Sequence, residues 1–304
     1  MPPAEPAGYR GRFAPSPTGP LHFGSLLAAV ASYAQARTHA GEWLVRIEDI
    51  DPPREQPGSD KAILAALEAY GFEWDGPVTY QSSFADRHEE AVTALLDRGL
   101  AYPCSCSRRD LADAPRGPLG AIYPGTCRGG CASADVAIRM RTNNDPIEFT
   151  DALQGPQRQC LESESGDFVI RRRDGLIAYH LAVVVDDHDQ GMTEIVRGID
   201  LLDSTPRHIW LQQALGLAVP GYMHIPVAIN DDGQKLSKLT GAAGIDLVVA
   251  GPVLVAALAA LGQEPPTGLT DERPAEIWRW ALPNWHAGAM RGMREVSASE
   301  HSFG

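Results

Sequence analysis

Lysine is nearly absent from this chain. Only Lys61, Lys235 and Lys238 are lysines among 26 basic residues, so 23 are arginines. Two of the three fall inside the segment "QKLSKL", where a compact ammonium does what a broad guanidinium fork does not. No apolar run approaches the roughly 20 residues of a membrane span, so no membrane partner is expected. The opening "MPPAEPAGYR" has no basic residue ahead of an apolar stretch and therefore no sign of a secretory signal. We expect residues 1–8 to be a flexible leader and the protein to be cytoplasmic. The spacing of a Walker phosphate loop is missing. Positive charge is also in deficit: the net charge of −13 excludes a general coat for nucleic acid, but not a nucleic acid met through a local patch.

What is present is ordinary globular material. The 304 residues are 44% hydrophobic and 21% charged, enough for a full core in one or two domains. "YRGRFAPS" reads as a buried strand, "GSLLAAVASYAQARTHAG" as a helix stopped at Gly41, and "EWLVRIEDID" as a second strand. A helix near Lys61 to Tyr70, a strand in "VTYQSS" and an amphipathic helix in "FADRHEEAVTALLDRGL" follow. This alternation predicts a parallel α/β sheet over residues 9–100. From Ala101 the rhythm breaks into Cys, Gly, Pro and Arg, then into short strands ("DVAIRMRT", "PIEFTD", "DFVIRRRDG"). We take 101–190 as an insert and 191–240 as the second half of the α/β domain. Residues 241–304 should be a small helical region ending in an unpatterned tail.

Two local patterns carry chemistry. In "RFAPSPTGPLHFGS" a strand passes through a Gly/Pro loop into a helix, which gathers backbone N–H groups and the positive helix end at one spot suited to phosphate. His22 beside it can donate to a phosphate oxygen. The cysteines lie at 104, 106, 127, 131 and 160. Four within 28 residues suggest metal rather than disulfides, and spacing alone nominates Cys104, Cys106, Cys127 and Cys131 as a zinc site.

These residues resemble the glutamate-type class I aminoacyl-tRNA synthetases. "RFAPSPTGPLHFG" is similar to their first signature, with His22-Phe23-Gly24-Ser25 in place of the usual His-Ile-Gly-His box. Lys235-Leu236-Ser237-Lys238-Leu239 is similar to their Lys-Met-Ser-Lys-Ser signature. "RIEDID" and "YHLAVVVDD…EIVRGIDLLDSTPRH" also look like glutamyl-tRNA synthetase segments, and the resemblance spans roughly Arg10 to Lys238. About 65 residues follow Lys238, so the chain looks like a truncated paralogue, and no anticodon-binding domain is expected.

The resemblance implies a Rossmann-type catalytic domain that activates L-glutamate with ATP and Mg2+, without tRNA. Transfer to the queuosine base at the wobble position of tRNA(Asp) would follow. It assigns His22, Lys238 and Lys235 to catalysis, and His22, Gly24 and Lys238 to ATP. L-glutamate would meet Arg12, Phe13, Ala14, Pro15 and Ser16 of the loop together with Glu48, Tyr179 and Arg197. Arginine forks suit its carboxylates, Glu48 its ammonium, and Tyr179 would close the pocket. Asp49 and Asp51 are expected to be local hydrogen-bonding partners or helix caps. The family's metal pattern, Cys-x-Cys then Tyr-x-x-x-Cys, maps a structural Zn2+ onto Cys104, Cys106, Tyr123 and Cys127, leaving Cys131 spare, and this is the set we adopt. We expect a monomer. Two other readings share much of this: glutamate activation for a different tRNA or carrier, and a non-catalytic tRNA-binding relic. A relic should have lost charged groups, yet Arg12, His22, Glu48, Arg197, Lys235 and Lys238 are all present.

Overall fold

The sheet begins with β1 (Arg10–Phe13), and the helix after it, α1 (Phe23–Thr38), lies across the sheet that β1 founds. The computed structural model describes residues 8–131, 133–230, 233–236 and 244–298. Ten side chains on α1, those of Leu26, Leu27 and Ala29–Ala36, are buried. A helix apolar around most of its circumference must be covered on more than one side, and here the sheet lies on one side and the C-terminal helices on the other. The helix ends at Thr38, and the chain turns through Ala40 in the left-handed region (φ 51). Gly41 follows because a Cβ there would stand 2.4 Å from the Tyr9 carbonyl oxygen.

Next come β2 (Glu42–Ile47), α2 (Ser59–Ala69), β3 (Thr79–Tyr80) and α3 (Ala85–Asp97). The strands β1, β2 and β3 pair in that order, all parallel. The insert starts with β4 (Ala101–Cys104), the hairpin β5 (Arg116–Gly117) and β6 (Gly120–Ala121), and β7 (Ala137–Met140). It continues with the hairpin β8 (Pro146–Asp151) and β9 (Gly155–Cys160), the single turn α4 (Leu161–Glu164) and β10 (Phe168–Arg171). Strands β10, β7 and β4 form an antiparallel sheet of their own.

The chain returns through α5 (Tyr179–Asp189), β11 (Glu194–Gly198), α6 (Thr205–Leu215) and β12 (Gly221–Ile225). Strand β11 pairs parallel with β12 and runs beside β1, where Thr193 N donates to Arg10 O at 2.9 Å. Connections therefore leave β1 toward β2 on one side and β11 toward β12 on the other. A ligand crevice forms outside the carboxyl ends of strands at such a divergence, here between Phe13 and Gly198.

Strand β13 (Val227–Ile229), α7 (Ala250–Ala260) and α8 (Pro274–Asn284) complete the fold with β14 (Glu295–Ser297). The last of these corrects the expectation of an unpatterned tail: β14 pairs parallel with β13 from Val227↔Glu295 to Ile229↔Ser297. Three residues are too few to show a strand period. The C-terminal helices share the main core. Trp43 of β2 stacks on Phe72 (5.5 Å, 19°), and Tyr33 of α1 meets Trp278 of α8 edge-on at 4.7 Å. Truncating a buried ring of this kind costs about 3–5 kcal/mol, so α8 is tied firmly to the sheet. Among the described residues no helix is long and apolar enough to cross a membrane.

Candidate active site

A cavity of about 620 Å3 opens at the crevice between β1 and β11. Its wall contains Arg12, Phe13, Ala14, Pro15, Ser16, His22, Gly24, Glu48, Tyr179, Arg197 and Lys235. Every described residue that the sequence reading assigned to amino acid, nucleotide or catalysis is thus brought to one place. Lys238 lies outside the described residues. Ser25, Arg54 and Asp200 join the wall without having been assigned to it.

The loop after β1 is fixed by its backbone. Pro15 O accepts from Glu48 N (3.0 Å), Pro17 O from Gln56 N (3.0 Å) and Leu21 O from Ile245 N (2.9 Å). The prolines remove donors and fix φ, so the loop holds its shape through these carbonyl contacts. His22 is the N-cap of α1, its Nδ1 accepting from Ser25 N at 3.2 Å. That bond leaves the imidazole proton on Nε2, 3.1 Å from Ser25 Oγ. A Cβ on Gly24 would stand 3.2 Å from the His22 ring. Glycine therefore lets the helix start, with its open N–H groups, come close to the ring and to the cavity.

Behind the loop lies an ion network that the sequence reading missed. Asp187 accepts from Arg12 Nε (3.0 Å), Arg12 Nη2 (3.3 Å) and Arg46 Nη2 (2.7 Å). Arg46 is fully buried and also donates to Gln190 Oε1 (2.6 Å) and, at 3.4 Å, to Glu48. Burial alone would raise the Asp187 carboxyl, but the Arg12 and Arg46 charges outweigh it and hold the group below the usual carboxylate range. Glu48 goes the other way: burial raises it, and the arginines only partly offset that. A cation arriving beside Glu48 would draw it back down and be held. The clue was available: in a strand, residues two apart share a face, so Arg46 had to lie beside Glu48. Asp49 and Asp51 serve locally, Asp49 accepting from Ser82 N and Oγ and Asp51 pairing with Arg54 and Arg172.

Arg197, the register partner of His224 across β11 and β12, is held differently. Its Nε donates to His224 Nε2 (3.1 Å), Nη1 to His208 Nδ1 (3.0 Å) and Nη2 to Thr205 Oγ1 (2.8 Å). Among the described residues it pairs with no carboxylate. Burial, and then the Arg197 charge, push His208 well below its ordinary value, so it stays neutral. Tyr179 begins α5 nearby, and burial raises its phenol, which remains a protonated donor. Across the cavity Lys235 pairs with Asp200, while Leu236 N donates to Ala228 O at 2.7 Å, laying this segment along β13.

A second constellation sits in the insert. The Sγ atoms of Cys104, Cys106 and Cys127 lie within 4.8 Å of one another and could hold a metal ion. The Tyr123 hydroxyl stands among them, 3.3 Å from Cys104 Sγ and 3.5 Å from Cys106 Sγ, and accepts from Cys127 N at 2.9 Å. Cys131, which spacing alone nominated, is outside this group, its Sγ 3.5 Å from Pro103 O. Around Cys127, burial is outweighed by the Tyr123 hydroxyl and the neighbouring donors, which draw the thiol down to about 6. Arg139 Nε donates to Cys104 Sγ (3.2 Å) with its guanidinium over the Tyr123 ring. Such outer contacts orient and charge a thiolate ligand. Three soft thiols in contact fit three corners of a tetrahedral ion.

Residues 9–117 and 126–249 match the family of tRNA synthetases class I (E and Q), catalytic domain. A glutamyl-Q tRNA(Asp) synthetase of Ectopseudomonas mendocina (strain ymp) is 54% identical over 96% of this chain and 98% of its own length. One of Dechloromonas aromatica (strain RCB) is 53% identical over 91% and 94%. In fold, the chain is similar to a glutamate tRNA ligase from Elizabethkingia meningosepticum CCUG26117 solved in complex with its amino acid. The TM-score is 0.80 at 24% identity, covering 97% of this chain and 68% of that one.

Proposed function

The chain belongs to the glutamate- and glutamine-type class I tRNA synthetases, and within them to the glutamyl-Q tRNA(Asp) synthetases, and from that premise we propose a reaction for the cavity. It activates L-glutamate with ATP and transfers the glutamyl group to the queuosine base at the wobble position of tRNA(Asp). Arg197 is the observation that carries this reading. A buried guanidinium on a cavity wall, satisfied among the described residues by neutral acceptors alone, is short of one anion, and a carboxylate matches its fork. Glu48 receives the ammonium, Arg12 offers its remaining N–H groups to the second carboxylate, and Tyr179 donates to it. Phe13, Ala14, Pro15 and Ser16 form the floor.

In the first step a carboxylate oxygen of glutamate attacks the α-phosphorus, the bond to the β-phosphate oxygen breaks, and pyrophosphate leaves with its electron pair. Negative charge gathers on the phosphates, so fixed donors aimed there lower the barrier. The open N–H groups at the start of α1 beside Gly24, the Nε2–H of His22, Lys235 and Lys238 supply them. Magnesium, when bound, would supply counter-charge on the leaving pyrophosphate. In the second step a nucleophile of the queuosine base attacks the activated carbonyl and AMP leaves. Cys104, Cys106, Cys127 and Tyr123 would hold a structural Zn2+, which would fix the insert. We place this activity in the cytoplasm, with the protein a monomer.

ATP–pyrophosphate exchange without tRNA tests the pocket. Glutamate should support exchange, with glutamine and aspartate at least about 100-fold poorer, because a missing or misplaced charge leaves buried groups unpaired. Equal exchange with glutamine would contradict the pocket as assigned.

A further inference from the structure

The acceptors that hold Arg197 are themselves held, and the chain of support leads out of the α/β domain into the insert. His224 Nε2 accepts from Arg197 Nε, so the one proton of a neutral imidazole sits on Nδ1. That proton goes to Asp151 Oδ2, 2.6 Å away. Both side chains are 0% exposed. Asp151 closes β8 at the tip of the insert's hairpin and is anchored there. Its Oδ1 accepts from Leu153 N (3.0 Å) and Gln154 N (2.9 Å), and its Oδ2 also accepts from His224 N (3.1 Å). The same tip grips β12 twice more, through Ala152 N to Tyr222 O and Gln154 Nε2 to His224 O, each 2.9 Å.

We propose that Asp151 is a positioning residue for the amino-acid site. By fixing the proton of His224 on Nδ1, it leaves Nε2 free to accept from Arg197, and so holds that guanidinium in place without touching it. The inference rests on the reading that Arg197 receives a carboxylate of the substrate. The design has a physical reason. A carboxylate directly on Arg197 would compete with the substrate's own, whereas one placed behind an imidazole orients the fork and leaves its outward charge for the ligand. His208 and Thr205 complete the frame on the other two nitrogens. The proton count is consistent there too: Thr205 Oγ1 accepts from Arg197 and has one proton to give, to Leu201 O at 3.2 Å or to His224 Nε2 at 3.1 Å.

Replacing Asp151 with asparagine reverses one hydrogen bond. Its oxygen can still serve the Leu153 and Gln154 amides, but its NH2 then faces the Nδ1–H of His224. The imidazole then carries its proton on Nε2, where it can turn to Thr205 Oγ1, 3.1 Å away, but opposes Arg197 Nε–H, and the fork loses that bond. The experiment is ATP–pyrophosphate exchange on the full-length protein, with KM for glutamate, KM for ATP and kcat measured separately and folding followed by thermal melts. Asp151→Asn should raise the glutamate KM by about 10- to 100-fold, the scale of a misplaced binding group, with the ATP KM and kcat changed far less. Should that variant not fold, a second pair decides. His224→Gln keeps an acceptor for Arg197 and a donor for Asp151, and should recover most of the affinity that His224→Leu loses. Arg197→Gln is the reference. A raised KM in Arg197→Gln with wild-type values in Asp151→Asn and His224→Leu would overturn the positioning role alone. Equal losses in His224→Gln and His224→Leu would overturn the proton argument. An unchanged glutamate KM in Arg197→Gln would overturn the reading of the site on which the inference stands.

Discussion

Changing Asp187 to asparagine removes the charge that accepts hydrogen bonds from both Arg12 and Arg46 while keeping the side chain's size. Asp187 sits 2.7–3.3 Å from three guanidinium nitrogens on two arginines and is 8% exposed. At an effective dielectric of about 20, two unit charges some 4 Å apart attract by ~4 kcal/mol, and Asp187 faces two partners. Desolvation of the buried carboxylate takes back several kcal/mol, so removing one member of such a group costs about 3–5 kcal/mol. That is a large part of the roughly 5–15 kcal/mol that holds a domain folded, and urea unfolding at pH 7 resolves it. The sign with pH follows from the depressed carboxyl of the folded state. Its contribution is present above the unfolded value of about 4 and is lost as pH falls through the folded value. The gap between wild type and Asp187→Asn should therefore be full at pH 7 and shrink below about pH 4. A loss under about 1 kcal/mol at pH 7, or a gap that persists undiminished in acid, would refute the reasoning.

The metal set and the lysine signature are tested separately. Cys104→Ser and Cys127→Ser should lose bound zinc on metal analysis of the purified protein, whereas Cys131→Ser should keep it. Loss in Cys131→Ser with retention in Tyr123→Phe would reverse the assignment. Lys238→Ala should melt like wild type but lose at least about 100-fold in pyrophosphate exchange, the scale of one lost phosphate donor. Lys238→Arg should be impaired as well, since a planar fork does not reproduce a point charge. A Lys238→Ala protein with near-normal exchange would remove that residue from the chemistry.

Much of the cavity was legible because its residues sit in short local patterns. The Gly/Pro loop before a helix, the paired lysines and the "RIED" strand each show their chemistry within a few positions. What stayed hidden depends on contacts between distant segments. Arg46 and Asp187 are 141 residues apart, and Asp151 meets His224 across 73. No periodicity joins such pairs, although two adjacent acids after the apolar run Val183–Val185 of a buried helix did require partners. Cysteine spacing reached the three grouped thiols Cys104, Cys106 and Cys127 but gave no reason to look for the Tyr123 hydroxyl beside them, because a phenol carries no spacing rule of its own. Strand β14 escaped for a different reason: its place is set by the edge of β13, and its own three residues specify little.

The central claim is transfer of glutamate to one modified tRNA, and a single labelling experiment addresses it. Purified protein, ATP and labelled glutamate are incubated with tRNA(Asp) carrying queuosine, tRNA(Asp) lacking it, and tRNA(Glu). The account predicts label on the first alone. Label on tRNA(Glu), or equal label on both forms of tRNA(Asp), would contradict it.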